Sequence, residues 1–75
     1  MKKITDKTKD SFRQAMGGAL KERREAAGIS QAKIAEVVGI SQSRIPELER
    51  GETKNIDTWI ACVTALGGRI KIEWE

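Results

Sequence analysis

The sequence has no histidine, no tyrosine, one cysteine, one proline and three aromatic residues. Without histidine, the commonest general base and most nucleophile–base triads are missing. One cysteine closes no internal disulfide, and with no histidine beside it a structural zinc site has almost nothing to bind. The longest uninterrupted apolar run, Trp59-Ile60-Ala61-Cys62-Val63, is far short of the ~20 residues of a membrane span. Met1 to Asp10 is basic, but no apolar segment follows it, so no export signal is read there. A lone cysteine with no such signal points to the cytoplasm. These absences argue against an enzyme, a metal or cofactor protein and a membrane protein.

What remains is a chain of 75 residues, 39% hydrophobic and 33% charged, the profile of one small globular domain. Its net charge of +3 is unevenly spread. Residues 1–50 carry +4 and residues 51–75 carry −1. Up to residue 24, eight basic side chains face only Asp6, Asp10 and Glu22. A basic half suits a polyanion, and it also suits ordinary solvated helix faces.

The pattern predicts a mainly helical domain. Residues 1–10 are polar and aperiodic, and read as a flexible basic arm, helical at most towards its end, whose Lys7 and Lys9 either wrap DNA or stay solvated. From Phe12, apolar residues at Ala15, Met16, Ala19, Leu20 and Ala27 share one helical face. Gly17-Gly18 should bend this helix or start it, and no strand precedes the pair to make it a phosphate loop. Gly28 ends the helix. Ser30 is placed to cap a helix over 31–38, Ser41 another over 42–50, and Asp57 a fourth from about residue 58 to 66. Trp59, Cys62, Val63 and Leu66 line that last helix; Trp59 and Cys62 read as core.

Residues 31–50 describe a helix-turn-helix. The first helix presents Ile34 and Val38 inward, with the small Ala35 at the crossing. Gly39 tolerates the turn, Ile40 plugs the core, and Ile45 and Leu48 bury the second helix. Such spacing arises by chance in about one chain of this length in twenty, so residue identity has to decide. Gly28-Ile29-Ser30-Gln31, Ile34-Ala35, Gly39-Ile40-Ser41-Gln42, Ile45 and Glu49-Arg50-Gly51 closely resemble the Cro/CI-type (XRE-like) helix-turn-helix regulators. The likeness runs from about Met16 to Leu66. The ending Ala65 to Ile72 is similar to antitoxin-type members, the HigA and HipB groups.

That resemblance implies a compact four- to five-helix, lambda-repressor-like domain over 11–68, acting as a dimeric repressor on double-stranded DNA. An antitoxin that neutralises a toxin protein and autoregulates its operon is the alternative. Carried over residue by residue, Gln31 touches a phosphate and braces the recognition helix, while Gln42, Ser43 and Arg44 enter the major groove. Gln suits adenine, Arg guanine and Ser either edge. Glu47 accepts from cytosine or repels misplaced phosphates. Arg50 ends the motif and is counted with the DNA-binding residues, and Thr53, Lys54 and Asn55 follow the backbone. The start of the recognition helix also favours a phosphate through free N–H groups. An ion pair with Glu47 is the competing use of Arg44. Pro46 departs from the pattern: with Ser41 as cap it falls at the fifth helical position, and with Ser43 as cap it falls in the first turn.

The period changes to two at the end of the chain. Ile70, Ile72 and Trp74 alternate with charged residues, which predicts a β-strand over 69–75. An unpaired strand invites a second chain, so these three residues are expected to dimerise the protein as an antiparallel ribbon.

Overall fold

The structure, a computed structural model, describes residues 3–74. Four helices follow in order: α1 (Asp6–Ala26), α2 (Gln31–Val38), α3 (Arg44–Glu49) and α4 (Ile56–Ala65). Leu20, Ile34, Ala35, Ile45, Leu48, Trp59, Cys62 and Leu66 form one core, with Val38 and Ile40 packed at its edge. All four helices contribute to it. None of them is long and apolar enough to cross a membrane.

α1 differs from expectation at its start and its middle. Asp6 to Asp10, read as part of a flexible arm, are helical, because Thr5 caps the helix and its Oγ1 accepts the Thr8 amide at 3.2 Å. The helix also runs unbroken through Gly17-Gly18. Gly17 is there for contact. A methyl group on it would sit 2.6 Å from the Leu48 carbonyl oxygen of α3. Gly51, at φ +79°, presses on the same helix, where a methyl group would lie 2.6 Å from the Gln14 nitrogen. Two backbone surfaces therefore meet directly, and the buried stripe of α1 turns to Gly17, Leu20 and Arg24. Phe12, Ala15, Ala19 and Ala27 of the expected face are left exposed.

Two caps also move. Ser41 does not start the third helix; Ser43 does, and Arg44 is its first residue. The reason is Pro46. A helix begun at residue 42 would force its ring against the Gln42 carbonyl, whereas as third residue its missing N–H is no loss. Gln42 and Ser43 consequently lie in the turn. At α4 the cap is Asn55, whose Oδ1 accepts the Asp57 amide at 3.0 Å, and Asp57 falls inside the first turn. There its charge suits the positive end of the helix.

The β-strand expected at the C-terminus is not found: no strand occurs among the described residues. A β-ladder needs a second strand, and neither Lys3-Ile4-Thr5 nor any other described segment supplies one. Ile70 instead lines an apolar groove with Phe12 and Met16 of α1 and Val63 of α4. Glu75, the last residue of the expected strand, lies outside the described residues.

Substitutions in α1 and α3 check this packing. Gly18 has open space around it, so Gly18→Ala should stabilise the fold by up to about 1 kcal/mol. Gly17→Ala should instead cost about 1–3 kcal/mol, because the helix must back away from α3. Pro46→Ala should leave the thermal midpoint unchanged or slightly lower. Thermal and urea denaturation of the three variants reads all of these outcomes.

Candidate nucleic-acid interface

The turn between α2 and α3 depends on one backbone feature. Gly39 adopts φ +78°, a left-handed conformation that side chains with a Cβ resist. It reverses the chain so that Ile40 reaches the core edge. Ile45, Leu48 and Glu49 then face inward along α3. Arg44 and Glu47, one turn apart on the opposite side, are exposed, as are Gln42 and Ser43 before them.

A charged network fixes the angle of α3. Arg24 of α1 and Glu49 of α3 are both buried, each about 8% exposed. Arg24 Nε donates to Glu49 Oε2 at 2.6 Å, and a terminal guanidinium nitrogen donates to Oε1 at 3.2 Å. Its other terminal nitrogen donates to the Ile29 carbonyl at 2.8 Å. Gln31 Nε2, at the start of α2, donates to Glu49 Oε1 at 3.0 Å. The Glu49 carboxylate holds the Arg24 guanidinium above its usual range, against the opposing push of burial. One carboxylate thus ties the end of α1, the start of α2 and the end of α3.

The residues singled out in the sequence fall into distinct settings. Gln42, Arg44, Glu47 and Lys54 are exposed and make no side-chain hydrogen bond among the described residues. Arg44 and Glu47 form no ion pair there. Ser43 is exposed, with its hydroxyl 2.8 Å from that of Ser41. Gln31 is half-buried and its amide donates to Glu49. Arg50 is exposed but pairs with Glu52 at 2.9 Å, which raises the guanidinium and lowers the carboxyl. Asn55 is exposed and caps α4. Thr53 is buried, and its main-chain carbonyl accepts the Trp59 indole N–H at 3.1 Å. Lys54 lies beside Lys9 and Arg13 of α1, in a cleft that Asp6 and Asp10 also line. Arg13 pairs with Asp10 and donates to the Gly51 carbonyl at 3.3 Å.

Arg24 and the role of Glu49 escaped the sequence reading. The signal was present: Glu49 follows Ile45 by four residues on the buried face of α3, and Arg24 follows Leu20 by four on that of α1. Two opposite charges on two apolar faces are a candidate buried pair. Cys62 is fully buried, and burial pushes its thiol up, away from reactivity.

Removing one member of the network should cost far more than removing both. Arg24→Met alone leaves Glu49 as a buried charge without its main partner and should lose about 3–5 kcal/mol of stability. The double variant Arg24→Met/Glu49→Leu should recover most of that loss. Urea denaturation of both variants measures the difference, and equal losses would show that the pair is not acting as a unit.

No curated protein matches the chain in sequence. The helix-turn-helix family matches it from residue 20 to residue 72, a span that includes α2, α3, α4 and the last turns of α1. Both the geometry and this match cover well over half of the chain, which belongs to the helix-turn-helix family of XRE type, a family of DNA-binding regulators.

Proposed function

We propose that the protein is a transcriptional repressor that binds a palindromic operator as a homodimer, without catalysis or cofactor, in the cytoplasm. The observation that carries this reading is the division of α3 into two faces. Ile45, Leu48 and Glu49 are locked inward, while Arg44 and Glu47 stand exposed beside Gln42 and Ser43. Arg44 reads guanine O6 and N7, Gln42 reads adenine, and Glu47 accepts from cytosine N4. Lys54 takes a phosphate. Two copies would present their recognition helices to half-sites about one helical turn (~34 Å) apart.

A second reading, an antitoxin, draws on the exposed apolar residues after α4. Ile72 and Trp74 are 73% and 90% exposed, a surface open to a toxin protein as well as to a second copy. The two readings are compatible. Coexpression with the product of the adjoining reading frame decides the matter: relief of growth arrest by this chain supports the antitoxin, and no relief removes it.

Binding to duplex DNA at several salt concentrations tests the main reading. Arg44→Ala should lose about 1–3 kcal/mol on the operator and relax preference at one base pair. Lys54→Ala should weaken all duplexes alike and lower the salt slope by about one unit. A wild-type chain with no affinity for any duplex would overturn the proposal.

A further inference from the structure

The groove beside the C-terminal residues is open, and its chemistry matches a segment of this same sequence. It measures about 320 Å³, the bottom of the range for ligand pockets and enough for one large side chain. Met16, Leu20 and Trp59 contribute to its apolar lining, and the charged residues around it are all cations: Arg23, Arg69 and Lys71. Ile70 of the same chain already lines it. Four residues on, Trp74 stands 90% exposed, between Glu73 and Glu75. An aromatic ring flanked by carboxylates complements an apolar pocket ringed by cations.

We propose that two copies of the chain exchange their last residues, so that Trp74 of each seats in the groove of the other, with Glu73 facing the cations around it. A two-fold exchange makes each copy donor and acceptor at once. Seating the indole removes ~150–250 Å² of aromatic surface from water per copy. Lys71 and Glu73 pair at 3.3 Å within one chain, but both are about three-quarters exposed, and such a pair is weak enough to be exchanged for one across the interface. This inference deepens the homodimer reading above and rests on it. It differs from a strand ribbon in placing the binding energy in side chains.

The test uses the full chain. Trp59 is only 2% exposed, so acrylamide quenching that changes with protein concentration reports Trp74. Quenching should fall over the concentration range in which sedimentation shows the dimer forming. Trp74→Ala should raise the dimer dissociation constant at least tenfold with an unchanged circular-dichroism melt. Glu73→Arg should weaken the dimer similarly, and mixing it with Arg69→Glu should restore association between the two variants. A dimer in which Trp74 stays fully quenchable, or one unaffected by Trp74→Ala yet broken by Ile72→Pro, would overturn the exchange in favour of a backbone ribbon. A wild-type chain that is monomeric at all concentrations would also overturn it. Duplex binding measured on the same samples separates that result from a failure of DNA recognition.

Discussion

The Glu49 carboxylate is the point on which the arrangement of the helices depends. It sits at the end of a six-residue helix, too short to hold its own conformation in water. Arg24 reaches it from α1 and Gln31 from α2, so the same two oxygens that end α3 also set its tilt. A buried pair of this kind adds little net stability compared with a well-packed apolar pair. What it adds is direction. An apolar contact tolerates sliding, whereas a forked guanidinium and a carboxylate meet in only a few geometries.

The second constraint is steric. α1 and the end of α3 approach until backbone meets backbone, through Gly17 on one side and Gly51 on the other. Arg13 adds a bond to the Gly51 carbonyl. The loop from Gly51 to Asn55 is thereby held against α1 before α4 begins. Trp59 closes the same loop from the other side by donating to the Thr53 carbonyl. A small core of eight buried apolar residues is in this way supplemented by contacts that fix where a loop lies.

The sequence made legible what depends on near neighbours. Ile34 and Ala35, the turn at Gly39, and Ile45 with Leu48 obey spacings of a few residues, and each stands where that spacing puts it. What it hid depends on partners far along the chain. The Gly17 contact lies with a carbonyl about thirty residues away, and Arg24 meets Glu49 across 25 residues. The choice of Ser43 over Ser41 turns on a proline ring. Thr53 reads as surface, yet the fold buries it and its carbonyl accepts the Trp59 indole N–H. The alternation at Ile70, Ile72 and Trp74 is genuine, but a strand is a property of a pair, and the described residues offer no second member.

Pro46 has an effect beyond the position of a cap. The Arg44 amide is spent on the Ser41 carbonyl at 3.1 Å and the Ile45 amide on that of Gln42 at 3.1 Å. The third residue is proline and has no amide to offer. Within the first three residues of α3 no main-chain donor is therefore left for an anion, whereas an open helix start would hold a phosphate with main-chain donors. An anion approaching this helix start would have to be held by side chains such as that of Arg44, which is exposed. Contacts made by charged side chains are long-range and screened by salt, so anion binding at this end of α3 would vary with ionic strength.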